Sequence, residues 1–109
     1  GMLHERGIYV DERVEIAGGN AVLLGACEAE CGVEKYAVSR LYVKHDSRVV
    51  IRARDHAFVM VDALDDAAVE VHCEGESKVV VNLYARAVAV TDGDGYAKVV
   101  HKNKETYDL

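Results

Sequence analysis

The residues of this chain that could do chemistry have to be weighed by what their spacing lets them reach. His72 and Cys73 set a base beside a nucleophile, but neighbours in an extended strand point to opposite faces, so the pair cannot act without a third group. Cys27 and Cys31 are spaced for one helical turn and could share a face or a metal. A structural zinc site takes four nitrogen or sulfur ligands, however, and no second close Cys/His pair completes the set. Asp92-Gly93-Asp94-Gly95 starts like a calcium loop. Such a loop needs a bidentate Glu about eleven residues after the first Asp; Asn103 stands there, with Glu105 nearby, and a plain turn is the better reading. His45, His56 and His101 are scattered, and Asp65-Asp66 reads as a solvated turn. A phosphate-binding Gly-rich loop, a Ser-His-Asp order and a nucleophile elbow are all missing. No catalytic residue, cofactor site or metal ligand is therefore assigned, and Cys73 is expected to behave as a small buried hydrophobe.

Composition narrows the classes further. The 109 residues suffice for one domain and a core that needs no disulfide or metal. Half are apolar, yet there is one Phe, no Trp and only six Tyr, so Val and Ala carry the interior. Those residues suit a thin, closely packed core. The formal net charge of −6 argues against nucleic acid and against an anionic membrane surface as partners. Arg48, Arg52 and Arg54 form a local basic cluster, which reads as a solvated strand face. No apolar run approaches the roughly 18 residues of a spanning helix, and the first residues lack an export signal. Gly1 ahead of Met2 reads as a tag-cleavage remnant, and the expected location is the cytoplasm. Three cysteines in such a chain are expected to be reduced thiols.

The elements that must position all these groups are set by a repeat. From Asp46 the chain reads in tens: DSRVVIRARD, HAFVMVDALD, DAAVEVHCEG, ESKVVVNLYA, RAVAVTDGDG, YAKVVHKNKE. The second position is always Ser or Ala, from Ser47 to Ala97. The fourth is Val49, Val59, Val69, Val79, Ala89 and Val99, and the sixth opens Ile51, Val61, Val71, Val81. The eighth position runs Ala53, Ala63, Cys73, Leu83 before the last two rows decay. Columns two residues apart share one face of a strand, and the positions between them carry Arg48, Arg52, Asp62, Lys78, Asn82 and Lys98. Row ends collect Asp and Gly, which form turns.

Upstream, Ser39, Leu41 and Val43 repeat the small-apolar-apolar step eight residues before Ser47, which implies one shorter turn. Val14 and Ile16 suggest a strand, Gly18-Gly19-Asn20 a turn, and Ala21 to Leu24 another strand. Residues 27–36 fit a short helix or a broad loop. One domain is expected over 1–109, with N-terminal strands and a loop or cap (1–38), a repeat region (39–104) and a tail (105–109). Lys102, Lys104 and the tail to Leu109 suggest a C-terminal cap.

Strands every ten residues fit an antiparallel β-meander or barrel. They also fit an all-β β-solenoid with two rows per coil. The small residue recurring at each corner favours the solenoid, because a stacked corner needs it in every coil. The pattern resembles short-repeat β-solenoid proteins in general. It is also similar to a group of small uncharacterised bacterial and prophage-encoded proteins with rows of the Asn/Asp-Ala-Xaa-Val-Xaa-Val type, on Asp46-Ser47-Arg48-Val49-Val50-Ile51, His56-Ala57-Phe58-Val59-Met60-Val61 and Asp66-Ala67-Ala68-Val69-Glu70-Val71. That resemblance covers the C-terminal sixty or so residues and implies no activity.

The fifth column is the informative departure: Val50, Met60, Glu70, Val80, Val90 and Val100 lie opposite the inward columns, yet most are apolar. In a two-row coil, alternate rows share a face, so Met60, Val80 and Val100 should align with Phe58 beside them. Burying one such side chain is worth roughly 1.5–3 kcal/mol, so this stripe should be covered. The cover is either the N-terminal segment with Ile8, Val10, Val14 and Ile16, or an interface. The expected function is a non-enzymatic structural or interaction module, a homo-oligomer or one docking on a protein partner and larger particle, possibly of phage origin. The alternative is a ligand- or metal-binding module or small enzyme, with a site between subunits or at residues 27–36.

Overall fold

A computed structural model describes residues 2–102. After a one-turn helix, α1 (Met2–Glu5), the chain forms β1 (Ile8–Val10), β2 (Arg13–Ala17), β3 (Gly19–Leu24), β4 (Glu28–Val33), β5 (Val38–Val43) and β6 (Arg48–Ala53). It continues through β7 (Phe58–Ala63), β8 (Ala68–Cys73), β9 (Lys78–Leu83), β10 (Val88–Asp92) and β11 (Tyr96–His101). The odd strands make a six-stranded sheet A and the even strands a five-stranded sheet B. Every pairing is parallel, between strands two apart in sequence. The molecule is a flattened β-solenoid with two rows per coil, and the antiparallel meander or barrel is excluded.

The decade repeat produces this winding because two rows return a residue to the same place. Val49 lies beside Val69, and Val59 beside Val79. Columns four, six and eight of both sheets face each other across one core, where Val49, Ile51, Val59, Val61, Val71, Val79 and Val81 are buried. Only Val, Leu, Ile and smaller residues fill it, as the scarcity of aromatic residues demanded.

The corners explain the small second column. In the regular corners from Ala37 to Ala87, the N–H of position two donates to the carbonyl of position nine of the preceding row, three residues earlier, as in Ser47 to Lys44, Ala57 to Arg54 and Ala67 to Leu64. Ala57, Ala67, Ser47 and Ser77 are thereby drawn inside. Position ten takes positive φ in row after row: Gly25, Lys35, His45, Asp55, Asp65, Gly75 and Ala85. Non-glycine residues seldom accept that conformation. Here side chains at this position also satisfy the neighbouring coil. Asp55 Oδ2 accepts from Lys35 N–H at 2.9 Å, Asp65 Oδ2 from His45 N–H at 3.1 Å, and His45 Nδ1 from Gly25 N–H at 2.8 Å. The Asp residues at the row ends are therefore turn formers that also clamp one coil to the next.

Several sequence expectations are corrected. Residues 27–36 are neither a helix nor a broad loop: Cys27 is a buried corner residue, β4 follows, and a turn begins at Glu34. The alternation there is hidden by Glu28, Glu30 and Gly32, which point outward between the inward Ala29, Cys31 and Val33. Ser39 belongs to column four, since it pairs with Val59, so no shorter turn precedes Ser47. Between β2 and β3 the turn is Gly18 alone, and Gly19 and Asn20 belong to the strand. The N-terminal segment does not cover the apolar stripe. β1 and β2 instead extend the two sheets, in a first coil shortened so that Ile8 meets Val22 and Arg13 meets Glu28. At the other end Tyr96 pairs with Lys78, two residues short of a full coil. The expected cap of Lys104 and the tail lies outside the described residues, and Lys102 follows β11.

Candidate functional site

The outward columns of sheet A bring the predicted interface residues together, with one exception. Phe58 and Met60 are two apart on β7, and Met60 pairs with Val80 of β9. Val100 is displaced from this stripe. Because the last coil is two residues short, Lys98 takes the place beside Val80, while Val100 lies beside Asn82 in the next column. Around the centre, Val38 (64 % exposed) pairs with Phe58, and Tyr96 (57 % exposed) lies beyond Lys78. Phe58, Met60 and Val80 are themselves partly exposed. The frame is cationic: Arg40, Lys78 and Lys98 adjoin the apolar residues, and the Arg40 guanidinium lies 5.6 Å from the Tyr42 ring centre. Asp62 is the acid of these columns, only 3 % exposed and accepting a hydrogen bond from Asn82 at 3.1 Å.

The outer face of sheet B is different in kind. Arg13, Glu28, Arg48, Ala68 and Val88 form one column, and Glu15, Glu30, Val50, Glu70 and Val90 the next. Arg13 pairs with Glu28 at 2.8 Å. Val88 and Val90, 57 % and 64 % exposed, stand on the edge strand β10.

His72 also lies on this face, held between two carboxylates: Nε2 is 2.7 Å from Glu70 and Nδ1 2.6 Å from Asp92. Both ring nitrogens can donate only in the imidazolium form, and Glu70 first, then Asp92, hold the pKa above the ordinary 6.5. A folded-state pKa raised above the unfolded one adds stability that is complete below about 6.5 and is lost as pH rises through the folded value. An NMR titration should place the His72 midpoint above the ordinary 6.5, and Glu70→Gln should lower it. An unmoved midpoint would mean that the contact does not persist in solution.

The other chemistry-bearing residues are absorbed by the scaffold. Cys27, Cys31 and Cys73 are free and buried, and burial pushes the Cys31 thiol up. Cys27 and Cys31 do share a face, but four strand residues put them roughly 13 Å apart. In the Asp92–Gly95 turn both carboxylates are engaged, Asp92 with His72 and Asp94 with the Gly75 N–H at 2.9 Å. A Cβ on Gly93 would meet the Cys73 carbonyl oxygen at 2.0 Å, so this turn is a tight corner. Asp66 is paired with Arg86, and Arg54 with Glu34. Among the described residues, no group of three or more His, Cys, Asp or Glu side chains could hold a metal ion, and no helix is long and apolar enough to cross a membrane.

The described residues form several open recesses; one, of about 710 Å³, lies where the Glu34–Ala37 corner stands beside the tight Gly18 turn. Gly32 contributes no side chain to it, and Lys35, Arg52, Arg54, His72 and Glu74 line it. The sequence offered no sign of it, because it arises from the unequal lengths of the first two coils. The chain matches no protein-family model, and no curated protein or solved structure is significantly similar to it.

Proposed function

We propose that this protein is a non-enzymatic structural or interaction module: a rigid solenoid that assembles with itself or docks on a larger particle through the outer face of sheet A. The observation behind this is the cluster of Phe58, Met60 and Val80 at the middle of a regular sheet, continued by the exposed Val38 and Tyr96. A contiguous apolar patch framed by polar residues is the usual mark of a protein contact. The fold supports the role, since stacked coils give a stiff, flat surface whose side chains are held in ladders.

The test is absolute mass in solution, at two concentrations, for the wild type and for Met60→Lys/Val80→Lys. The double variant should fall to the monomer mass while keeping the wild-type circular dichroism spectrum and a cooperative melt. The replaced side chains point outward, so the core is untouched. An assembly of unchanged mass in the folded variant would overturn sheet A as the contact. A second reading, a ligand-binding module, rests on the recess beside Gly32, where Lys35 and Arg52 favour an anionic ligand.

A further inference from the structure

We infer that the outer face of sheet A takes the outer face of sheet B on a second copy of this chain, a heterologous contact. It builds on the reading of sheet A as an interaction surface and names the occupant.

Charge makes the first part of the case. The chain carries a net charge of −6, so copies repel unless charge is segregated over the surface. It is segregated. The outward side of sheet A presents Arg40, Lys78 and Lys98, with its acid Asp62 buried against Asn82. Sheet B presents Glu15, Glu28, Glu30, Glu70 and Asp92 against Arg13, Arg48, Arg52 and the His72 imidazolium, so acids still outnumber cations there. A twofold dimer of sheet A on sheet A would bring two sets of Arg40, Lys78 and Lys98 into one interface, with only the buried Asp62 of each copy to offset them. Like charges across an interface are strongly unfavourable. Sheet A on sheet B sets cations against acids.

The apolar residues make the second part. Exposed valines stand on both faces: Val38 on sheet A, Val88 and Val90 on sheet B. An acidic partner of another kind on sheet A would leave Val88 and Val90 wet, whereas one heterologous contact covers both patches. The size is adequate. The smaller face sets the limit: six residues at about 3.3 Å and the five strands of sheet B at about 4.8 Å give a plane on the order of 500 Å². With side-chain relief, that approaches the roughly 800 Å² per partner of a standard interface. A heterologous contact either closes into a ring or propagates.

The experiment uses two surface variants of the full chain, each checked for the wild-type melt. Arg40→Glu/Lys78→Glu disables sheet A, and Val88→Lys/Val90→Lys disables sheet B. Light scattering should show the wild type at twice the monomer mass or more, rising with concentration, and each variant alone as a monomer. Their equimolar mixture should return to twice the monomer mass and no further, since one intact sheet A remains for one intact sheet B. If the sheet B variant keeps the wild-type mass while the sheet A variant is monomeric, the contact is not heterologous and only sheet A is an interface. If the sheet A variant keeps that mass, the reading of sheet A fails as well. A wild type that stays monomeric overturns the heterologous contact.

Discussion

Ile51→Ala is expected to cost about 3 kcal/mol of folding stability, and Val50→Ala, one residue earlier, no more than about 1 kcal/mol. The two lie on the same strand and differ in the face they occupy. Ile51 is fully buried between Cys31 and Val71 of the adjacent coils, so truncation leaves a cavity that stacked strands cannot collapse. Val50 is partly exposed, between Glu30 and Glu70. A domain of this size has about 5–15 kcal/mol to lose in all, so the first change is severe and the second near neutral. Urea unfolding with a common slope measures both, and the melting temperature should fall by roughly 4 °C or more per kcal/mol. Equal losses would mean that the two-residue alternation does not decide burial.

That alternation is also what made the fold legible. From Asp46 to Leu83 the inward columns are Val, Ile, Ala, Cys and Leu without interruption, and the second column is Ser or Ala, so rows and corners could both be read. Legibility failed where coil length changes or where a column loses its signature. In the row containing Cys27, the inward residues are Ala29, Cys31 and Val33 rather than a run of valines, and the glutamates between them suggested a helix. Ser39 imitated a corner serine although it points into the core from column four and donates to the Gly19 carbonyl at 2.5 Å. Val100 was assigned by counting tens. The Asp92–Gly95 corner is short, however, and a two-residue change preserves which face a side chain is on while moving it one column along. The adjacency of Phe58, Met60 and Val80 on one face was therefore legible, and the place of Lys98 beside Val80 was not. The segregation of acids onto sheet B was equally present in the sequence. It becomes visible only once alternate rows are assigned to opposite sheets.

If coils are interchangeable units, deleting residues 46–65 should give a shorter protein that still folds, and deleting 46–66 should give a markedly less stable one. The first deletion joins His45 to Asp66 and removes one strand from each sheet. Position ten is then followed by positions one and two, Asp66 and Ala67, as in the parent corner of Lys44, His45, Asp46 and Ser47. Ala68 takes the place of Arg48 beside Glu28, Val71 falls beside Cys31, and Val81 beside Leu41, so every inward column stays apolar. The cost is one coil of core and the corner bonds that Asp55 and Asp65 supply, each worth about 1 kcal/mol net. Neighbour interactions in a solenoid add, so the melt should stay cooperative at a lower temperature. Removing one residue more, with the corner length kept, moves Val69, Val71, Val79, Val81 and Leu83 to the outer face and turns Lys78 and Asn82 inward. Avoiding that inversion requires the junction corner to lose a residue, as in the 15-residue step from Arg13 to Glu28. It also gives up the corner's regular turn bonds, so the longer deletion should be markedly less stable than the shorter one. Circular dichroism and thermal melts of the two chains decide the matter: a 46–65 deletion no more stable than its neighbour would show that stability depends on the whole stack and not on the coil.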